Sequence, residues 1–259
     1  MEASISGRGF MRYRDLYADM TDSTEAELLL WPTDAADPTA PPAGLLDLLA
    51  DHRLLVLGHY SVPDQTTPEQ LRSTHGDAAT AAVESVADAV RERGIPVESV
   101  VVFTRDRAET IDRVAAERDA DAVLTPGVVD QPITRIFAPI RGDENLERIV
   151  SFVAGLARRS GVEVTLYNTA DSGEASSSGE FLLRGAADRL SEGGVDPDRI
   201  EWIGEESEDA VESILAAATE YDLLVIGESE PSLRERILGN AAGQLVDAAD
   251  QPVAVVRDA

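Results

Sequence analysis

Cysteine and lysine are both absent from this chain of 259 residues. Without cysteine the chain can form no disulfide, no thiolate nucleophile and no cysteine-ligated zinc site. No run of about 18 apolar residues occurs, so we expect no membrane-spanning segment. The first residues also lack the apolar stretch of a secretory signal. These absences favour a cytoplasmic protein.

Acidic residues dominate the composition. There are 49 Asp and Glu against 22 basic residues, all of them Arg, and the formal net charge is −27. Such a surface repels nucleic acids and anionic membranes, so we predict neither nucleic-acid binding nor direct membrane insertion. At molar salt the Debye length falls to about 3 Å, and most of the repulsion within the chain disappears. The composition therefore indicates halophilic adaptation, and a functional acidic surface is the alternative.

Apolar strands alternate with amphipathic helices along the chain, which predicts an α/β protein with parallel strands. In the first half the predicted strands are 26–32, 53–59, 97–103 and 121–125. In the second half they are 134–140, 162–168, 199–203, 222–227 and 252–257.

The two halves repeat each other imperfectly. Residues 108–126 align with 209–227, and the segment Asp-Gln-Pro occurs in both halves. The first copy has no loop, helix or fifth strand after its fourth strand. We interpret this as a tandem duplication, with an N-terminal extension (1–24), a truncated first domain (25–132) and a complete second domain (133–259).

The N-terminal extension combines positive charge with aromatic residues in a chain that has little of either. Its members of these two kinds are Arg8, Phe10, Arg12, Tyr13, Arg14 and Tyr17. The extension is a candidate for docking on the acidic surface of its own chain, on a second subunit or on a partner. Disorder is an equal alternative.

Two segments of the second half resemble a universal stress protein domain. IFAPIRGDENLERIV (136–150) resembles its opening, and DLLVIGESEPSLRERILGNAAGQLVDAADQPVAVVR (222–257) resembles its close, a strand, Gly-x2-Gly-x9-Gly-[Ser/Thr], a helix and a final strand. The first half is similar to the tandem, haloarchaeal branch of this family. The resemblance implies two flavodoxin-like, adenine-nucleotide alpha-hydrolase-like αβα lobes with parallel sheets of strand order 3-2-1-4-5, the first lobe truncated.

The same resemblance implies a nucleotide pocket over the carboxyl ends of strands one and four of the second lobe. Many members of the family bind ATP or AMP there without strong catalytic activity. The positions of this sequence that match the pocket are Arg141, Gly142, Asp143, Gly227, Glu230, Gly239 and Asn240.

Several of these positions depart from the family pattern. Glu230 stands where the motif has its second glycine, and Arg141 stands where the family has Asp. The spacer before Gly239 is one residue short, and Asn240 replaces the hydroxyl residue. A carboxylate about 4 Å from a phosphate oxygen costs on the order of 4 kcal/mol at an effective dielectric constant near 20. We therefore predict a degenerate pocket.

Three arrangements of the two exchanged charges remain open. Arg141 pairs with Glu230 and fills the pocket, or Arg141 receives an anionic ligand while Glu230 faces solvent, or both are solvated loop charges. We favour the pairing as our hypothesis.

The resulting functional prediction is a non-enzymatic stress-response or regulatory protein that acts through protein contacts. We expect no catalytic residue, no metal and no cofactor. The alternative is a small-molecule sensor that binds ATP, AMP or another anion in the second domain. The family resemblance also makes a membrane transporter a candidate partner.

Further expectations concern single segments. The last strand is predicted to have an unpaired side and to pair between chains, forming a homodimer. Asp34, at the end of the first strand, is expected to be a turn residue. Residues 170–180 are predicted to be a mobile surface loop, and His52 and His59 are expected to point to opposite faces and to share no metal.

Overall fold

The computed structural model describes residues 26–127, 131–142, 145–170, 174–228 and 241–257. The strands in this part of the chain are β1 (Leu28–Asp34), β2 (Arg53–Ser61), β3 (Val97–Thr104), β4 (Ala122–Thr125), β5 (Arg135–Pro139), β6 (Glu163–Ala170), β7 (Ile200–Glu206), β8 (Leu223–Gly227) and β9 (Val253–Val256). Each coincides, to within a few residues, with a strand expected from hydrophobic periodicity.

Helices connect the strands. They are α1 (Ala43–Leu48), α2 (Pro68–Arg91), α3 (Arg107–Glu117), α4 (Leu146–Ser160), α5 (Glu174–Glu192), α6 (Ala210–Ala218) and α7 (Ala241–Ala248). Local chemistry explains where α2 begins: Thr67 and Gln70 form a reciprocal capping box, with Pro68 at the first helical position. No described helix is both long and apolar enough to cross a membrane.

All nine strands join one sheet, in the order β3-β2-β1-β4-β9-β8-β5-β6-β7. The first four strands form one parallel group, which we call lobe one. The other five form a second parallel group, which we call lobe two. Read within each lobe, the order is the expected 3-2-1-4, completed by a fifth strand only in lobe two. The predicted fold class is confirmed.

The C-terminal strand contradicts one expectation. β9 pairs with β8 on one side and antiparallel with β4 of lobe one on the other, so its unpaired side was predicted wrongly. Among the described residues lobe one has no fifth strand of its own, so the edge of β4 is available to another strand of the same chain. Pairing within one chain has the advantage of a high effective concentration. The homodimer stays a prediction, but β9 has no free edge to form it.

The antiparallel junction sets the two lobes in opposite directions. Thr125, at the carboxyl end of β4, lies beside Val253 at the amino end of β9. The carboxyl ends of lobe one and those of lobe two therefore face opposite edges of the sheet. Because α/β folds bind ligands at carboxyl ends, the candidate pockets of the two lobes are on opposite edges.

The core crosses the boundary between the lobes. On one face of the sheet α1, α2, α4 and α5 cover a single apolar cluster that includes Leu29, Trp31 and Val83 from lobe one and Ile136 and Val164 from lobe two. On the other face each lobe has its own cluster, covered by α3 in lobe one and by α6 and α7 in lobe two. The shared face therefore holds the lobes together by apolar burial as well as by hydrogen bonds.

Helix α5 corrects a second expectation. The Ser- and Gly-rich segment 170–180 was predicted to be a mobile loop, but from Glu174 onward it is helical. Gly179 lies directly against the side chain of Asn168, where a Cβ would not fit. The apolar stripe of Leu183 and Leu190 packs this helix on the sheet and outweighs the low helix propensity of its first turns.

One aspartate recurs in both lobes just before the fourth strand. In lobe one Asp121 accepts a hydrogen bond from the backbone N–H of Leu28 (2.8 Å). In lobe two Asp222, the aligned residue, accepts three, from Thr134 N (2.8 Å), Thr134 Oγ1 (2.9 Å) and Arg135 N (2.9 Å). Each carboxylate thus ties strand four to the start of strand one. The tandem duplication and its boundary at residue 132 stay predictions.

Replacing Asp222 tests the contribution of these hydrogen bonds. Burial alone would raise the pKa of Asp222, but the bonds from Thr134 and Arg135 lower it below 3.8. The stability it adds is therefore present above about pH 4 and is lost as the pH falls through the lower, folded pKa. We expect Asp222→Asn to reduce the free energy of unfolding by about 1–2 kcal/mol at neutral pH. Urea denaturation at a series of pH values should show that the free energy of unfolding falls less below pH 4 in the variant than in the unmodified protein. Asp121→Asn, which removes a carboxylate with one such hydrogen bond, is the matched control.

The shared sheet and core predict that both lobes unfold together. The chain has two tryptophans, Trp31 in lobe one and Trp202 in lobe two. The variants Trp31→Phe and Trp202→Phe each keep one tryptophan, which reports on one lobe. We expect each variant to unfold in one transition, in which the normalised fluorescence and circular dichroism curves coincide. Within each variant, tryptophan emission and far-UV circular dichroism should agree. A lobe that melts separately would split these two signals and contradict the prediction.

Candidate functional site

The candidate site lies where β5 and β8 end side by side. These neighbouring parallel strands pair at Ile136 with Leu223 and at Phe137 with Leu224. Their carboxyl ends therefore reach the same edge of the sheet, at the switch point where the chain order reverses. Arg141 and Gly142 follow β5 there, and Gly227 closes β8.

The structure brings together three of the seven predicted site residues. Arg141 is exposed, and Gly142 and Gly227 are half-buried. Asp143, Glu230, Gly239 and Asn240 lie outside the described residues. The pairing of Arg141 with Glu230, and its two competing arrangements, therefore stay predictions.

Gly227 packs closely against the start of α4. A Cβ at this position would lie 2.7 Å from Cδ1 of Ile149 and 3.6 Å from Cβ of Asn145. Both neighbours belong to the start of α4, where Asn145 adopts a left-handed conformation (φ 58°) immediately before the helix. The first turn of α4 thus contacts the end of β8 directly, and any larger residue at position 227 would require the Ile149 side chain to shift.

Glu228, the next residue, is held by protein groups on three sides. Its backbone N–H donates to the carbonyl of Val256 (2.7 Å), and its own carbonyl accepts a hydrogen bond from the side-chain amide of Asn145. Its carboxylate pairs with Arg257, with 3.1 Å between Oε2 and Nε. The Arg257 side chain is only 15% exposed, so this pair is better shielded from solvent than a typical surface pair.

Arg257 also connects the two lobes. Its backbone N–H donates to the carbonyl of Asp121 in lobe one (2.9 Å), and its Nη1 reaches the carbonyl of Asp112 in α3 at 3.5 Å. On the opposite side, Nη1 of Arg148 in α4 donates to the carbonyl of Arg257 (3.0 Å). One arginine thus links the end of β8 to a helix of lobe one.

Two carboxylates share the charge of this arginine. Although Asp112 is exposed as a residue, desolvation of its carboxyl is the largest effect raising its pKa, and the charge of Glu228 raises it further. Arg257 acts in the opposite direction and lowers the pKa of Asp112. The edge of the sheet beside β8 therefore carries a compensated cluster of charges, and an incoming phosphate would meet two carboxylates whose positive partner is already engaged.

Sequence reasoning missed the roles of Arg257, Asn145 and Asp112. Arg257 carried a weak signal, since it is a basic residue directly after the last strand of an acidic chain. Its partners carried none, because Asp112 belongs to the other lobe and meets Arg257 only through the antiparallel junction.

The corresponding edge of lobe one is built around a turn. Oδ1 of Asp34 accepts the N–H of Ala36 (2.9 Å), and its carbonyl accepts the N–H of Asp37 (3.2 Å). The predicted turn role of Asp34 is confirmed. His59 lies opposite Asp34 in the register of β1 and β2 and is buried. Burial and the charge of Arg107 lower the pKa of His59, and Asp34 acts against them.

His52 lies at the other end of β2, at the contact between the lobes. Its Nε2 is 3.3 Å from Oε2 of Glu27, and its ring meets that of Phe152 in α4 edge-on, with centroids 6.2 Å apart. Nearby, Arg159 of α4 pairs with Asp51 at 2.8 Å. The contacts of His52 with Phe152 and of Asp51 with Arg159 join the two lobes, and the contact of His52 with Glu27 lies within lobe one.

Comparison with known proteins identifies the second half of the chain. Residues 132–257 match the sequence model of the Universal stress protein family. No curated protein is significantly similar to the chain in sequence.

Solved structures extend the likeness to both lobes. A universal stress protein from Archaeoglobus fulgidus is 15% identical, with a TM-score of 0.64, and the match covers 89% of this chain and 96% of that one. A putative universal stress protein from Pseudomonas aeruginosa is 16% identical, with a TM-score of 0.58, covering 90% and 94%. A functionally unknown protein from Pseudomonas aeruginosa is 17% identical, with a TM-score of 0.57, covering 90% and 93%. At these identities the likeness establishes the fold.

Replacing Arg257 tests how much its positive charge stabilises the protein beside Glu228 and Asp112. We expect Arg257→Gln to lower the free energy of unfolding by about 1–3 kcal/mol, because Glu228 loses its charged hydrogen-bond partner in a partly buried place. The pKa of Asp112 should rise further, which NMR titration of its carboxyl group would record. Arg113→Gln, which breaks an exposed pair with Glu117 inside one helix turn, should cost less than about 0.5 kcal/mol. Equal costs for the two variants would contradict a special role for Arg257.

Proposed function

Because residues 132–257 match the universal stress protein family, we propose that this chain is a non-enzymatic stress-response or regulatory protein. It acts through contacts with other proteins, and its nucleotide pocket in lobe two is closed to ATP and AMP. The proposal rests above all on one observation, the engagement of the end of β8 by protein side chains.

That engagement occupies the place where a phosphate chain would be received. Asn145 bonds the carbonyl of Glu228, Ile149 packs against Gly227, and Arg257 pairs with the Glu228 carboxylate. Arg257 neutralises the Glu228 carboxylate, so this pair offers a phosphate no free positive charge. A carboxylate without such a partner, about 4 Å from a phosphate oxygen, would cost on the order of 4 kcal/mol at an effective dielectric constant near 20. That is roughly three decades of affinity. Glu230, two residues further on, would add a second negative charge.

The chemistry near this edge also supports a role without catalysis. Its described ionisable side chains are carboxylates and arginines, namely Asp112, Arg141, Arg148, Glu228 and Arg257. The three histidines of the chain all precede residue 76, in lobe one. A histidine general base, the commonest kind in hydrolases, therefore has no candidate among the described residues at this edge.

Apolar surface supports action through protein contacts. Among the described residues the large hydrophobic side chains with most exposure are Phe181 (82%), Ile203 (42%) and Trp202 (39%), all near the β7 edge of lobe two. A second copy of the chain and a membrane transporter are the partners we propose. The transporter is proposed on one ground only. Family domains that have Arg in place of Asp resemble domains associated with transporters.

A sensor that binds ATP, AMP or another anion is the second candidate. Arg141 is exposed beyond β5, and among the described residues nothing lies within 4 Å of a Cβ built on Gly142. Within the described part of the chain there is thus open space beside this positive charge, and Gly239 and Asn240, which lie outside that part, would complete the site according to the family pattern. An anion bound there would use Arg141 instead of the end of β8.

Calorimetry distinguishes these functions. We expect no heat of binding from ATP or AMP at concentrations up to about 1 mM in about 1 M KCl. The double variant Glu228→Gln with Glu230→Gly removes both negative charges and should gain measurable affinity for ATP. The double variant Glu208→Gln with Glu220→Gln, at two exposed positions on either side of α6, is the matched control for the change in net charge.

The opposite results would favour the sensor. Binding of ATP or AMP by the unmodified protein, weakened at least tenfold by Arg141→Gln, would overturn the closed pocket. So would a nucleotide that stays with the protein through purification.

A further inference from the structure

Strand β7 forms one outer edge of the sheet and is far more open than the opposite edge. Six of its seven residues are exposed, whereas most of β3 is half-buried. On β3 the acidic residue Glu98 is already paired with Arg118 (3.1 Å) and Arg53 (3.8 Å). Within the described part of the chain, no arginine forms an ion pair with Glu201 or Glu205 of β7. An open edge with unpaired N–H and C=O groups is a template for another strand.

The side chains of β7 alternate in a defined pattern. Glu201, Ile203 and Glu205 share one face, because successive residues of a strand point to opposite sides. Glu205 accepts a hydrogen bond from the hydroxyl of Tyr167 (2.6 Å), which places this face on the side of α6. The pattern on this face is acidic, apolar, acidic.

The other face of β7 carries an aromatic group. The guanidinium of Arg184 in α5 lies over the ring of Trp202, with Cζ 5.6 Å from its centroid. Phe181, one helical turn before Arg184, is the most exposed large apolar side chain described. An added strand would therefore meet acidic and apolar groups on one face and aromatic ones on the other.

One segment of this chain has the complementary pattern. In residues 8–12, Arg8, Phe10 and Arg12 alternate with Gly9 and Met11. An extended strand would place Arg8, Phe10 and Arg12 on one face, a basic, apolar, basic series. Residues 3–14 contain three arginines and no acidic residue, in a chain of net charge −27. This combination of charge and spacing matches Glu201, Ile203 and Glu205 position by position.

We propose that residues 4–14 dock on the outer edge of β7 as an additional strand of the same chain. In a parallel register Arg8 lies beside Glu201, Phe10 beside Ile203 and Arg12 beside Glu205. Main-chain hydrogen bonds supply affinity and the alternating side chains supply the register, as in other cases of strand addition.

The tether to the rest of the chain permits this docking. The strands of the two lobes run in opposite directions. The amino end of β1 and the carboxyl end of β7 therefore lie on the same side of the sheet. β1 and β7 are six positions apart in the sheet, so a strand added beside β7 lies seven positions from β1, or about 34 Å at a strand spacing of roughly 4.8 Å. Residues 15–26, which follow the docked segment, can span up to about 40 Å at roughly 3.3 Å per residue. A segment that pairs with β7 and leaves it at the carboxyl end, toward the start of β1, runs parallel to β7.

Tryptophan fluorescence provides the first test. Trp31 is buried (1%) and Trp202 is 39% exposed, so the neutral quencher acrylamide reports mainly on Trp202. We expect Trp202 to be protected in the full chain and to lose that protection when residues 1–24 are deleted. Equal quenching of the full and shortened chains would overturn the proposal. Protection that falls on dilution would also overturn it, since docking within one chain is independent of protein concentration.

Peptide binding provides the second test, and it does not depend on how the shortened chain behaves alone. A synthetic peptide of residues 4–14 added to the shortened chain should restore the protection in a saturable way. The variant Glu201→Arg should weaken this binding about fivefold at low salt. Glu92→Arg, at an exposed position after α2 in lobe one, changes the net charge equally and should leave the affinity unchanged.

An exchange of charges tests the register. A peptide carrying Arg8→Glu should bind the unmodified edge poorly and should regain affinity for the Glu201→Arg variant. If both proteins bind this peptide alike, or if Glu92→Arg weakens the original peptide as much as Glu201→Arg does, the attraction is a general effect of net charge and the proposed register is wrong.

Discussion

Four residue pairs between β4 and β9 hold the architecture of this molecule together. Lobe one contributes four of the described strands. The free edge of β4 would present unpaired N–H and C=O groups to which another strand can bind. The final strand of lobe two satisfies it from within the chain. Because that pairing is antiparallel, it turns the second lobe around relative to the first and merges two small sheets into one sheet of nine strands. It also allows one apolar cluster to extend beneath both lobes.

The same junction determines the electrostatics of the candidate site. Arg257 follows β9 directly, and the antiparallel pairing places its backbone beside Asp121 of lobe one. From there its side chain reaches Glu228 at the end of β8 and the carbonyl of Asp112 in α3. The chain has more than twice as many acidic as basic residues, so an arginine at this point has carboxylates nearby to interact with. The end of β8 is thus tied to the neighbouring lobe.

Much of the fold followed from periodicity, while the site followed only in part. The strands were predicted because buried parallel strands form short continuous apolar runs, as in Leu54 to Leu57 and Leu223 to Ile226. The helical start of α5 was missed because local propensity disfavours Ser and Gly, and packing decided otherwise. Arg141, Gly142 and Gly227 lie where β5 and β8 end, and their role in ligand binding stays a prediction. The family pattern describes one domain, so it could not show that a residue of the other lobe, Asp112, shares Arg257.

By itself, the sequence determined the local elements and the strongly acidic composition, since each depends on neighbouring residues or on residue counts. The strand order within each lobe came from the resemblance to universal stress protein domains. The sequence also carried the Arg-x-Phe-x-Arg pattern of the N-terminal extension, whose complement on β7 is recognisable only once that strand is known to be an exposed edge. The tertiary structure decided which edge of lobe one is completed, and by which strand, because pairing between distant strands leaves no periodic trace in either of them. It decided in the same way that Glu228 is compensated by Arg257, because that contact joins residues that approach each other only after the two lobes have formed one sheet.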